Sequence, residues 1–157
     1  MQKKWQNYLF YILLTEAVGI LAGVLIREGT KIYSETITKP PLSPPAIVFP
    51  IVWSVLYALM GVSAALISFC EAGAAKKRAF YAYFLQLGFN FFWSIIFFKL
   101  QAFGVAFFWL LALWGLILWM ILAFRKLNRT AAYLQIPYLI WVSFAGYLNL
   151  GVWLLNR

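Results

Sequence analysis

Five apolar stretches of about 19 to 23 residues follow one another along the chain, at about 8–26, 47–69, 80–98, 103–124 and 133–155. A helix rising 1.5 Å per residue needs that length to cross ~30 Å of hydrocarbon. Backbone amides cannot stay unpaired in lipid, and a barrel would need shorter, alternating segments, so the spans are read as helices. The expected fold is all-α: an integral membrane protein built as a five-transmembrane-helix bundle, one membrane domain over 1–157. The first span follows Lys3 and Lys4 as a signal peptide would, but its length and its interruption by Glu16 predict a retained helix.

Composition agrees with a lipid-embedded chain. Hydrophobic residues make up 65% and charged residues 11%, at a mean hydropathy of +0.85. So much apolar surface exceeds what a core of this size buries. Eight Trp and fifteen Phe are more than interfacial belts require, so some aromatics are expected to line a site. The net charge of +9 sits at the ends of the apolar runs rather than along one basic face, which argues against nucleic acid as a partner. His and Asp are absent and Cys70 is the single cysteine. Metal sites, Ser-His-Asp or Cys-His hydrolysis and an intrachain disulfide are therefore not expected.

Three connectors are short, at 71–79, 99–102 and 125–132, whereas the first loop, about 27–46, holds Gly29 and the prolines Pro40, Pro41, Pro44 and Pro45. A loop that long in a small chain is more often functional than idle. Lys and Arg divide eight to five between the two ends of the spans. This places the N-terminus in the cytoplasm and the long loop outside.

Several polar and aromatic residues fall in helical register. Glu16, Gly19, Gly23 and Arg27 share one face, and the Gly19/Gly23 GxxxG pair permits close helix packing or a dimer seam. A carboxyl such as Glu16 at membrane depth needs a partner, and a hydroxyl or amide on the packing face is the plainer reading against a ligand or proton role. On the third span Gln86, Asn90, Trp93 and Phe97 form one stripe, with the amides either bonding neighbouring helices or facing a ligand. Phe49, Trp53, Tyr57 and Gly61 repeat every fourth residue on the second span, and Tyr138, Trp141, Ala145 and Asn149 share a face of the fifth. Large rings beside small residues leave room for a helix or a guest molecule. Trp109, Trp114 and Trp119 on the fourth span read as structural or lipid-facing.

Three segments together cover most of the chain in order: "KPPLSPPAIVFPIVWSVLYALMG", "YFLQLGFNFFWSIIFF" and "PYLIWVSFAGYLNLGVW". They resemble the translocator protein family, the tryptophan-rich sensory proteins once called peripheral benzodiazepine receptors. The resemblance implies a homodimer in a bacterial inner membrane, each bundle holding a pocket capped by the first loop. It implies binding of tetrapyrroles such as protoporphyrin and haem, and of drug-like isoquinoline carboxamides and benzodiazepines. No resident cofactor is required, porphyrin being ligand or substrate.

By motif position the resemblance carries Trp53, Tyr57, Asn90, Trp93, Trp141 and Ala145 into the pocket. The stripes add Phe49, Gln86 and Tyr138, and the loop adds Tyr33, Lys31 and Lys39, the lysines to meet propionates. Two alternatives stand beside a receptor: a light- and oxygen-dependent protoporphyrin-degrading enzyme using Trp53 and Trp141, and a transporter of tetrapyrroles or sterols. The chain departs from the family at Leu150 and Leu154, where the cholesterol consensus has its Tyr and basic residue, and at Trp109, where animal relatives have Asp.

Overall fold

A computed structural model describes residues 3–157. It contains α1 (Lys4–Leu25), α2 (Arg27–Thr36), α3 (Val48–Ser68), α4 (Ala74–Ser94, continued by a π-helical turn Ile95–Lys99), α5 (Phe103–Arg125), α6 (Arg129–Tyr133) and α7 (Ile136–Leu155). No strand occurs among the described residues. Five helical spans are long and apolar enough to cross a membrane: α1, α3, α4 with its π turn, α5, and α6 with α7.

The bundle core follows from helical periodicity. On α5 the buried residues Ala106, Leu110, Leu113, Ile117, Met120 and Phe124 recur at spacings of three and four, one continuous stripe against α4 and α7. Its opposite face carries Val105, Phe108, Leu111 and Leu122 into lipid. Trp109 is structural, as expected: its Nε1 donates to the Phe89 carbonyl at 2.8 Å, and its ring stacks on Phe89 with centroids 4.4 Å apart.

Three elements depart from the sequence expectation. The first loop is not irregular throughout, because Arg27–Thr36 forms the amphipathic α2 before the prolines stop it. Polar residues at seven of its ten positions hide this helix from a search for apolar runs. The third span starts at Ala74 rather than Phe80, since Ala74 and Ala75 are strong helix formers and lysine, charged though it is, is itself compatible with a helix. Lys76 turns back to donate to the Ser68 and Cys70 carbonyls at 2.8 and 3.1 Å, satisfying the C-terminal end of α3. Finally, the connector before the last span contains α6, capped by the Asn128 side chain, which accepts the Ala131 N–H at 3.0 Å.

Two fastenings position the cavity described below. α1 lies close along the first half of its length against α3, where Gly61 faces Ile12: a Cβ on Gly61 would sit 2.5 Å from the Ile12 Cα. Asn7 donates to Ser68 Oγ at 3.0 Å, and Thr15 donates to the Tyr57 carbonyl at 2.7 Å. Beyond Gly19 the two helices part, and at Gly23 a Cβ would meet nothing within 4 Å.

The second fastening holds the proline strap, residues 37–46, to α7. Thr38 N–H donates to Asn156 Oδ1 at 3.0 Å while Asn156 Nδ2 donates to the Thr38 carbonyl at 2.7 Å. Tyr147 donates to the Pro41 carbonyl at 2.7 Å, and Pro40 packs so closely on Gly151 that a Cβ there would lie 2.5 Å from it. Proline supplies carbonyl acceptors without amide donors, so the strap leaves few of its own N–H groups to satisfy. At its tip Leu42 takes φ 68°, a left-handed turn closed by Ser43 Oγ donating to the Pro40 carbonyl at 2.7 Å.

Replacing Gly61 with Val is expected to push α1 off α3 and lower thermal stability in detergent, by about 1–3 kcal/mol of overpacking. Gly88→Ala, in open space on α4, is expected to leave stability unchanged or raise it by up to about 1 kcal/mol. Equal melting temperatures for the two variants would contradict the close α1–α3 contact.

Candidate functional site

Where α1 and α3 part, a cavity of about 750 Å³ opens within the half of the bundle nearer α2 and the strap. That lies within the ~300–1,000 Å³ of small-molecule sites. Its floor is Glu16, Gly19 and Tyr57, its wall Phe49, Trp53, Trp93, Phe98, Trp141 and Ala145, and its rim Thr30, Lys31, Tyr33, Ser34, Lys39 and Pro44. Ile20, Gly23 and Ser54 border the cavity yet remain exposed, so it opens sideways between α1 and α3 as well as under the strap.

The wall is an aromatic box. Trp53 and Trp141 meet edge to face with centroids 6.5 Å apart, and Phe49 stands edge to face with Trp141 at 5.9 Å. Trp53 leans on Tyr57 at 5.7 Å, the i+4 spacing on one helix. Small residues make the space: Ala145 lies one turn beyond Trp141, and Gly19 lets α1 seat against the Tyr57 ring, whose carbons would lie 2.5 Å from a Cβ. Gly19 lies against Tyr57 of the same chain, while Gly23 borders open cavity.

The rim is basic. Lys39 Nζ stands 5.0 Å above the Tyr33 ring and donates to the Ser34 and Ile37 carbonyls at 3.2 and 3.3 Å. An ammonium has three N–H groups, so one remains for a ligand. Tyr33 packs on Phe97 and Phe98 at 5.6 and 5.4 Å, and burial pushes its hydroxyl above the ordinary tyrosine range. It stays neutral at physiological pH, and rim charge comes from Lys31 and Lys39. Gly29 anchors this end of the cavity: it meets the Phe98 carbonyl where a Cβ has no room.

Of the residues expected to bind ligand, Tyr33, Lys39, Phe49, Trp53, Tyr57, Trp93, Trp141 and Ala145 all border the cavity. Gln86, Asn90 and Tyr138 do not, because they bond to one another behind it, leaving only Gln86 Nε2 of these side chains without a partner. Tyr57 OH donates to Asn90 Oδ1 at 2.8 Å, Asn90 Nδ2 donates to the Tyr138 oxygen at 2.7 Å, and Tyr138 OH donates to Gln86 Oε1 at 2.7 Å. Of the two readings left open for these amides, this geometry is that of bonding between helices. Asn149 does likewise, accepting from Trp93 Nε1 at 3.0 Å and donating to the Phe103 carbonyl at 2.8 Å. This bond fixes the Trp93 indole against the wall.

Sequence reasoning left Glu16, Thr30, Ser34, Ser54 and Phe98 out of the site. Glu16 carried a visible signal, since it shares a helical face with Gly19 and Gly23. A second hollow, about 660 Å³ and lined by Lys76, Lys77, Phe80, Tyr81 and Phe84, is an open depression on the outer face of α4.

Five spans around an aromatic cavity with a basic rim define a multi-pass membrane protein with an intrabundle cavity. Residues 11–154 match the TspO/MBR family. The chain is 33% identical to the tryptophan-rich protein TspO of Chlorobaculum tepidum, over 99% of each chain. It is 31% identical to the tryptophan-rich sensory protein of Cereibacter sphaeroides, over 99% of this chain and 95% of that one. It is 34% identical to the translocator protein of Ovis aries, over all of this chain and 94% of that one. The chain belongs to the TspO/MBR family, the membrane sensory and translocator proteins that its motifs resemble.

Replacing Asn90 with Ala removes the middle of the hydrogen-bond chain: the buried Tyr57 hydroxyl loses its acceptor and the Tyr138 oxygen loses its donor, while Tyr138 keeps its bond to Gln86. A loss of about 1–3 kcal/mol is expected. In a double-mutant cycle Asn90→Ala and Tyr138→Phe should be strongly non-additive in thermal unfolding, and simple additivity would contradict direct coupling.

Proposed function

We propose that the protein is a membrane receptor for flat, largely apolar ligands of the tetrapyrrole class, protoporphyrin and haem, and for drug-like aromatic amides of similar breadth. The observation that carries this reading is the wall of Phe49, Trp53, Tyr57 and Trp141 beneath a rim bearing Lys31 and Lys39. Indole and phenyl faces attract the faces and edges of a planar ring system. Lysine ammoniums complement the carboxylates that such a ligand carries at one edge. Polar contacts then come from Thr30, Ser34 and Lys39, since Asn90 and Gln86 bond to tyrosines behind the wall. The long loop lies outside in this reading, in a bacterial inner membrane, so a ligand is received from the outer face or sideways from the bilayer.

A second reading is catalytic. Two indoles 6.5 Å apart border the space a porphyrin would fill, and an indole is the most readily oxidised side chain there. Under illumination, with dioxygen as oxidant, a bound porphyrin would be degraded in a Trp-dependent way. A defined product that forms with the native protein and not with Trp53→Phe/Trp141→Phe would support this. Equal bleaching with denatured protein would exclude it.

For the receptor reading the test is a titration of protoporphyrin followed by tryptophan quenching. The double variant Trp53→Phe/Trp141→Phe is expected to bind about ten-fold or more weakly, the loss of two large aromatic contacts. Lys39→Gln is expected to weaken protoporphyrin by about 2–10-fold while leaving a ligand without carboxylates unaffected. Unchanged protoporphyrin affinity in the double variant would remove these tryptophans from the site.

A further inference from the structure

Glu16 lies near the midpoint of α1, the one acidic residue inside a span. Along the axis it is roughly 16 Å from Arg27 and roughly 18 Å from Lys4, at 1.5 Å per residue. No cation on its own helix reaches it. The neighbouring hydroxyl is already committed, since Thr15 donates to the Tyr57 carbonyl at 2.7 Å with the Tyr11 and Ile12 carbonyls also within reach at 3.0 and 3.1 Å. Among the described residues the carboxyl of Glu16 has no hydrogen-bond or ion-pair partner, and it borders the floor of the cavity beside Gly19 and Tyr57. The hydroxyl or amide partner that its position called for is not among the described residues.

An uncompensated carboxyl at this depth costs several kcal/mol. Protoporphyrin does not answer it: the acidic edge of such a ligand belongs at the lysine rim, and its inner edge carries no cation. We propose that Glu16 is a specificity residue for a second ligand class, flat aromatic amines whose protonated nitrogen is seated at the cavity floor. The aromatic body of such a ligand occupies the box of Trp53, Trp141 and Phe49, as the tetrapyrrole reading requires, so this assignment rests on the cavity being a ligand site. Lys31 and Lys39 at the rim disfavour a cation there, which fixes the orientation with the amine innermost.

The test uses the full chain in uncharged detergent and two probes that differ in one group, 1-pyrenemethylamine and 1-pyrenemethanol, read by energy transfer from tryptophan. The wild type is expected to bind the amine about ten-fold more tightly than the alcohol, as a charge-assisted bond provides. In Glu16→Gln the ratio of amine to alcohol affinity is expected to fall to about one, while Glu16→Asp keeps a preference for the amine. A Glu16→Gln ratio equal to the wild-type ratio overturns the assignment, as does a wild type without amine preference. Protoporphyrin quenching on the same samples separates the two levels. Porphyrin binding without amine preference overturns the role of Glu16 alone, whereas no response to any of the three probes overturns the cavity reading beneath it.

Discussion

Polar side chains inside a bilayer are costly unless they find partners, and the hydrogen-bond chain Tyr57–Asn90–Tyr138–Gln86 is where this constraint shapes the bundle. It joins α3, α4 and α7 at one level and sets which faces turn inward. Because the Tyr57 hydroxyl is drawn back toward Asn90, the Tyr57 ring stands as a floor against Gly19. Trp53, one turn earlier on the same helix, is thereby turned to the cavity. A second bond, Trp93 to Asn149, fixes the adjacent wall.

The other half of the architecture is a strap held from outside. Proline fixes φ and carries no amide donor, so residues 37–46 can lie across the bundle end without a ladder of their own. Asn156, Tyr147 and Gly151 supply the fastening from α7. The helix that carries Trp141 and Ala145 therefore also holds the cover above them, which couples the position of the strap to the shape of the wall. α2 completes the rim because Gly29 admits the Phe98 carbonyl, and the π turn that ends α4 presents Phe97 and Phe98 to Tyr33.

Much of this was legible in the sequence, for physical reasons. Span length and apolarity give five membrane helices directly, and the four-residue spacing of Phe49, Trp53 and Tyr57 gives one wall of the cavity. A helical stripe identifies a face but not what that face meets. Asn90 and Trp93 therefore share a stripe, yet one closes a network and the other borders the cavity. α2 escaped notice because its residues are mostly polar, and the spacing of Gly19 could not reveal that Tyr57 would be its neighbour. Glu16 was visible as an expensive residue, but only three dimensions put it on the cavity floor without a partner.

The measurement that bears most directly on the account is a structure of the protein with protoporphyrin bound. The macrocycle should stack within the box of Phe49, Trp53 and Trp141, its carboxylates at Lys31 and Lys39, with the Tyr57–Asn90–Tyr138 bonds intact behind it. A porphyrin lying on the lipid face of the bundle, or one that opens the network to bond Asn90 directly, would contradict it.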